Sequence, residues 1–188
     1  DFSAGEDVRT VTFGDGETRA FTMDDVAFTL GIGRNVQTYV YQTEDGTYYL
    51  LPAEWRTADQ AWHPLDLGDE WLTDAYNFGI NCAGCHTVGL DVEDYTWEEE
   101  GVMCESCHGP GLDHVEYADD AGGTIDDEER ALIYGSISLA HDSQTCGQCH
   151  TRGIANDGIH PYPVGYFPNF NDLSDVYTTF QPDGEQAD

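Results

Sequence analysis

Lysine is absent from this sequence of 188 residues, and its only basic side chains are six arginines. The 37 acidic residues, mostly aspartate, bring the formal net charge to −31. Such a surface repels nucleic acid and anionic membranes, so both are disfavoured as partners. Its charges also repel one another, and salt screens that repulsion. An aspartate-rich composition without lysine therefore predicts a halophilic protein rather than an ordinary acidic secreted one.

Long hydrophobic runs are also missing. No apolar stretch approaches the ~20 residues that cross a bilayer, so no membrane span is predicted. The sequence does not begin with the apolar segment of a signal peptide, and we expect Asp1 to be the first residue of a processed chain. The chain has the length of one domain, or of one domain with a small appendage.

Cysteine occurs only within three copies of the motif Cys-x-x-Cys-His. The copies use Cys82, Cys85 and His86, then Cys104, Cys107 and His108, and finally Cys146, Cys149 and His150. This spacing attaches haem c, because the two thiols form thioethers with the haem vinyl groups and the histidine becomes the proximal iron ligand. We therefore predict three covalently bound haems c and a role in electron transfer rather than catalysis. Haem is attached to such motifs outside the cytoplasm, so we expect an exported protein.

Zinc binding and disulfide formation are the alternative roles for paired cysteines. A zinc site does not require a histidine directly after the second cysteine, yet all three copies have one. A disulfide framework rarely repeats one short unit three times. The hydrophobic content of 39% is a little low for a globular domain, and three haems would supply the missing apolar surface. The sequence therefore favours haem, with a core built around it.

Four further histidines are available as distal ligands to the three irons: His63, His114, His141 and His160. His114 lies six positions after the second motif, too close to fold over the haem of that motif, so we expect it to serve a neighbouring one. His141 lies five positions before the third motif and can likewise reach an adjacent haem. His63 and His160 compete for the remaining iron, and the surplus histidine leaves open a ligand donated across a subunit boundary. Met23 and Met103 are the less favoured alternatives.

From residue 29 to residue 173 the chain resembles a family of multihaem c-type cytochromes. The resemblance rests on the segments 51–55, 81–87, 101–111 with His114, 146–153 and 162–166. The family includes tetrahaem electron carriers and is similar to extracellular cytochromes that polymerise into haem-wire filaments. The resemblance implies that His114 is the distal ligand of another haem. Relatives commonly carry a further haem motif upstream of the β region, so either that haem is absent or the sequence is a segment of a longer protein.

The predicted fold class is a mostly irregular multihaem cytochrome c fold with few short helices, a small N-terminal β region and a core of stacked haems. Strands are predicted at residues 8–13, 18–21, 36–42 and 47–51, joined in pairs by turns at residues 14–17 and 44–46. Residues 23–30 are ambiguous between helix and strand, and Pro52 is expected to end the sheet. A short helix with an acidic first turn is predicted over residues 126–134.

Three regions follow from this pattern: a small β region at residues 1–55, a three-haem cytochrome region at residues 56–160 and a loop-like tail at residues 161–188. Trp55, Trp62, Trp71 and Trp97 lie at or beyond the end of the β region, where they either cover haem or pack in an ordinary core.

The function predicted first is an extracellular or cell-surface electron conduit, a subunit that forms a homopolymeric haem filament. The alternative is a soluble exported shuttle that docks its acidic surface onto a basic redox partner. The least favoured function is reduction of a small nitrogen or sulfur oxyanion at a five-coordinate haem. The histidines suffice to give every iron two axial ligands, and few arginines are present to attract an anion.

Overall fold

The computed structural model of the chain describes residues 9–12, 18–65, 67, 70–123, 125–137, 143–168 and 170–180. The chain forms two compact units, residues 1–83 and residues 84–188. The first Cys-x-x-Cys-His motif crosses this boundary, since residues 82 and 83 belong to the first unit. In the described part of the chain, no helix is both long and apolar enough to span a membrane.

Antiparallel strands form the framework of the first unit. They are β1 (Arg9–Thr12), β2 (Thr18–Phe21), β3 (Phe28–Leu30), β4 (Val36–Gln42), β5 (Tyr48–Arg56) and β6 (Ala61–Pro64). The first two strands pair with each other, and the other four form a sheet in the order β3-β4-β5-β6. Single 3₁₀ turns lie at Met23–Asp25 and Asp74–Tyr76.

The β4–β5 hairpin confirms the strands and the turn predicted at residues 36–51. Gly46 adopts a φ of 91°, which favours glycine, and the Asp45 carboxylate accepts a hydrogen bond from the Thr47 backbone N–H at 3.1 Å. Residues 23–30, for which the sequence favours neither helix nor strand, form the first 3₁₀ turn and β3. The predicted turn at residues 14–17 and the ends of the strand predicted at residues 8–13 lie outside the described residues.

The expectation that Pro52 ends the sheet is wrong, because β5 runs through it to Arg56 and a further strand, β6, follows. Pro52 lies between the paired positions Thr38–Glu54 and Val40–Leu50, where the register of β4 shifts. Proline is tolerated at such an irregularity, since its missing N–H removes no regular ladder bond there. Its carbonyl accepts a hydrogen bond from the Leu65 N–H at 3.1 Å.

Aromatic side chains fill the core of the first unit. Phe21, Tyr39 and Leu51 are buried, and Trp55, Trp62 and Trp71 pack against them. The indole N–H of Trp71 donates to the Leu50 carbonyl at 2.7 Å, which satisfies the polar atom of a largely apolar ring. These three tryptophans therefore pack in an ordinary aromatic core.

Short helices and two small sheets make up the rest of the structure. The helices are α1 (Phe78–Asn81), α2 (Ala83–His86), α3 (Cys104–His108), α4 (Leu112–Ala121), α5 (Asp127–Gly135), α6 (Ser143–His150) and α7 (Leu173–Val176). The strand β7 (Thr87–Val88) pairs with β8 (Glu99–Glu100), and β9 (Gly153–Ala155) pairs with β10 (Tyr177–Thr179). A small apolar cluster lies behind the second pair, formed by Ala155, Tyr166, Leu173 and Tyr177.

The predicted helix at residues 126–134 is confirmed as α5. Asp126 caps it by accepting hydrogen bonds from the backbone N–H groups of Glu128 and Glu129, both at 2.9 Å. The sequence analysis did not predict α4, nor the helix and strand at residues 173–179. Few helices and small antiparallel sheets agree with the predicted fold class, whereas the division into three functional regions stays a prediction.

Candidate haem-attachment site

The second and third Cys-x-x-Cys-His motifs adopt helical backbone, since the second is the whole of α3 and the third is the last part of α6. The first motif is helical from Ala83 to His86, and its Cys82 lies in the turn between α1 and α2. In a helix, residues three and four positions apart lie on one face, so the second and third motifs each present both thiols and the histidine along the same side. This donor set and conformation fit covalent haem at each motif.

Local caps fix where these helices begin. The Asn77 side chain accepts a hydrogen bond from the Ile80 N–H at 3.1 Å and so caps α1. The Ser106 hydroxyl accepts one from the Met103 N–H at 3.1 Å at the start of α3. Gly109 follows α3 with a φ of 73°, a conformation that favours glycine and ends the helix directly after the proximal histidine.

The first and third motifs contact each other through their second cysteines. The thiols of Cys85 and Cys149 are hydrogen-bonded, and this bond lowers the pKa of Cys149 although burial opposes the shift. The Cys85 thiol also contacts the Gln148 carbonyl oxygen at 3.7 Å, a long sulfur-donor hydrogen bond. None of the six cysteines forms a disulfide in this structure.

The third motif also contacts the second. The Gln148 side-chain amide donates to the Ser106 carbonyl of the second motif at 2.7 Å. Its other hydrogen bond runs to the Thr145 carbonyl of its own helix at 2.9 Å. All three motifs are thus joined through residues of the third.

Burial shifts two pKa values in the first motif. It raises the pKa of the Cys82 thiol to about 11, so this cysteine is held in its neutral form. Burial likewise lowers the pKa of His86 and favours the neutral imidazole, the form that binds iron. Within the described residues, no group of three or more histidine, cysteine or acidic side chains converges on one point as a shared metal site.

The His114 imidazole is oriented by a hydrogen bond to the backbone. Its Nδ1 lies 2.8 Å from the Ile133 carbonyl on α5. A carbonyl only accepts, so Nδ1 carries a proton and donates it. Ligating histidines are commonly oriented in this way, by donating their other ring N–H to a backbone carbonyl.

His63 lies on β6 of the first unit and leaves Nε2 without a hydrogen bond. That atom is buried and lies 3.0 Å from the Asp59 carboxylate, but not in hydrogen-bonding geometry. The predicted ligand His141 lies outside the described residues.

His160 differs from the other two because both of its ring nitrogens are hydrogen-bonded. Its side chain is buried; Nδ1 lies 2.7 Å from the Asp157 carboxylate, and Nε2 lies 3.0 Å from the Tyr95 hydroxyl. The carboxylate requires a proton on Nδ1, so Nε2 accepts from the hydroxyl. The Tyr162 ring packs against the imidazole at an interplanar angle of 42°, with the ring centroids 5.0 Å apart.

A cavity of about 670 Å³ lies beside the motifs in the second unit. Two residues of each motif contribute to its wall: Gly84 and Cys85, Glu105 and Ser106, and Gln148 and Cys149. The three motifs therefore border one common space.

Sequence reasoning missed the residues that connect the motifs. Gln148 occupies one of the unspecified positions of its motif, and no local pattern distinguishes it from a solvated glutamine. Tyr162 packs against Gly84, where any Cβ atom would overlap the ring. The glycine in the first motif was the one available signal for that close approach, since glycine often marks a tight packing contact.

Three Cys-x-x-Cys-His motifs that border one cavity are typical of a multihaem c-type cytochrome. Comparison with known proteins agrees. The sequence model of the family described as cytochrome c554 and c-prime matches residues 68–109. The crystal structure of the outer cell wall cytochrome OcwA matches with a TM-score of 0.64 and 25% sequence identity, over 85% of this chain.

The match covers 34% of OcwA, so the chain corresponds to about a third of that protein. No curated protein matches the sequence significantly. Together the family and structural matches support a multihaem c-type cytochrome family for this chain.

Proposed function

We propose that this chain transfers electrons through three haems c, one attached at each Cys-x-x-Cys-His motif, and that it is not an enzyme. The observation that carries the proposal is the mutual contact of the motifs, through the Cys85–Cys149 thiols and the Gln148–Ser106 hydrogen bond. Haem iron supplies a reversible one-electron carrier when bound. Electron transfer needs such carriers close together, and the protein's part is to hold their attachment points in contact.

The distal ligands proposed for the three irons are His63, His114 and His141. His63 leaves Nε2 without a hydrogen bond, although the Asp59 carboxylate lies 3.0 Å away, and His114 is oriented through Nδ1 by the Ile133 carbonyl. His160 is the surplus histidine in this assignment. To bind iron, it would have to exchange the hydrogen bond that Tyr95 donates to Nε2.

The proposed location is the cell surface or the extracellular space, and the proposed state is a homopolymer. The likeness to an outer cell wall cytochrome supports the location. A polymer of chains with a net charge of −31 must overcome strong repulsion, so its assembly is expected to require salt or bound cations.

Mass spectrometry of the protein exported by a host that matures c-type cytochromes tests the haem count. The expected mass is that of the chain plus three haems. A variant with both Cys146 and Cys149 replaced by serine is the matched control and should carry two. A wild-type protein without any added tetrapyrrole contradicts the proposed function as a whole.

Electron microscopy over a range of salt concentrations tests the assembly. Filaments at high salt that dissociate at low salt are expected for the conduit. The strong acidic charge also suits a soluble shuttle, whose rate of electron exchange with a basic partner should fall steeply as salt rises. Monomers at every salt concentration, combined with that rate dependence, would favour the shuttle.

A further inference from the structure

The side chain of Gln148 is fixed between two haem-attachment motifs. A glutamine amide has two N–H donors, and here one donates to Ser106 of the second motif while the other donates to Thr145 on α6. With both protons engaged, the side chain is held in one orientation. It ties α6, which ends in the third motif, to α3, which is the second.

The main chain at the same position faces the first motif. The Gln148 carbonyl lies 3.7 Å from the Cys85 sulfur, and the thiol of the next residue, Cys149, is hydrogen-bonded to Cys85. Gln148 and Cys149 of the third motif therefore contact both other motifs. The Gln148 side chain contacts the second motif, and the Gln148 carbonyl and the Cys149 thiol contact the first.

These contacts respond differently to haem attachment. Thioether formation consumes the thiol protons of Cys85 and Cys149, so their hydrogen bonds are lost, although the two sulfurs remain on neighbouring chain segments. The Gln148–Ser106 bond joins an amide to a backbone carbonyl and uses neither a thiol nor an iron ligand. Thioether formation therefore removes neither its donor nor its acceptor.

We propose that the third motif lies between the first and the second in space, so that the order of the motifs is 1–3–2, and that Gln148 is the positioning residue that holds the second motif against the third. The inference rests on the proposed function, because the order of the motifs affects electron transfer only when haems are attached to them. Electrons passing through the chain would then visit the motifs out of sequence order.

The test compares Gln148→Leu with Gln144→Leu in the haem-loaded protein. Gln144 is a matched control on the same helix. It accepts a hydrogen bond from the Leu173 N–H at 2.6 Å and donates to the Asp172 carboxylate at 3.2 Å, contacts that lie outside the other motifs. Both variants should retain three haems by mass.

Circular dichroism in the Soret band reports the coupling between neighbouring haems. Gln148→Leu is expected to lose part of the amplitude of the split Soret signal and to shift at least one midpoint potential, whereas Gln144→Leu keeps both. Identical spectra and potentials in the two variants would overturn the positioning role, while the haem count would still support the proposed function.

An experimental structure of the wild-type protein tests the order without any substitution. The iron at the third motif should be the nearest neighbour of each of the other two. If the irons at the first and second motifs form the closest pair, the order 1–3–2 is wrong, even if Gln148→Leu fails to fold.

Discussion

Replacing Gly84 by alanine probes the close packing of the first haem motif. Two effects of opposite sign compete at this position. Within a helix, alanine is more favourable than glycine by at most about 1 kcal/mol. Against that, a Cβ atom at residue 84 would lie 2.6 Å from Tyr162 Cε2 and closer still to two other atoms of the ring.

The ring has little freedom to move away. Tyr162 is only 2% exposed and packs against the buried imidazole of His160. Overpacking of this kind costs about 1–3 kcal/mol, so the steric term outweighs the helical gain. We expect a net loss of about 1 kcal/mol in the free energy of unfolding, equivalent to a fall in Tm of roughly 2–4 °C for a chain of this length.

Thermal unfolding followed by circular dichroism measures this change. Gly135→Ala is the control, because Gly135 ends α5 and no atom lies within 4 Å of a Cβ built there. That substitution should leave Tm unchanged or raise it. In a Tyr162→Leu background, Gly84→Ala should no longer destabilise the protein. A Gly84→Ala variant as stable as wild type would refute the packing of Tyr162 on the first motif.

Two further predictions concern the distal ligands and the β4–β5 turn. His114→Ala should leave one iron five-coordinate, so that the reduced protein binds one equivalent of carbon monoxide. The control variant His160→Gln should bind no carbon monoxide. It should nevertheless lower Tm, because Asp157 and Tyr95 lose their partner at a cost of about 1–3 kcal/mol. If His160→Gln bound carbon monoxide and His114→Ala did not, His160 would be the ligand. Asp45 has a pKa below its usual 3.8, lowered first by the Thr43 hydroxyl and then by the Thr47 N–H. The ionised form is therefore the stabilising one, so Asp45→Asn should lower Tm at pH 7. This difference should begin to shrink near pH 3.8 and disappear only below the lowered pKa of the folded state; a difference that persists in stronger acid would exclude this cause.

Features carried by local sequence could be predicted. The Cys-x-x-Cys-His motifs, the β4–β5 hairpin with Gly46 and the capped helix α5 each depend on residues a few positions apart. Their backbone preferences act before any distant part of the chain is in contact, so the pattern in the sequence is sufficient.

Features that depend on distant contacts could not be predicted. Pro52 remains within a strand because the register of β4 shifts opposite it. Gln148 bonds to a carbonyl 42 positions away, and Tyr162 packs on a glycine in another segment. The sequence likewise does not reveal that both ring nitrogens of His160 are hydrogen-bonded, because Tyr95 lies 65 positions away.

The Gln148–Ser106 hydrogen bond helps to explain how so acidic a chain can keep its attachment points together. It joins an amide to a carbonyl and involves no charged group. Because salt screens charges and leaves neutral hydrogen bonds largely unaffected, the arrangement of the motifs is decoupled from the repulsion between the chain's carboxylates. Salt should therefore change the free energy of unfolding and the association between chains, while the geometry that electrons follow within one chain stays the same.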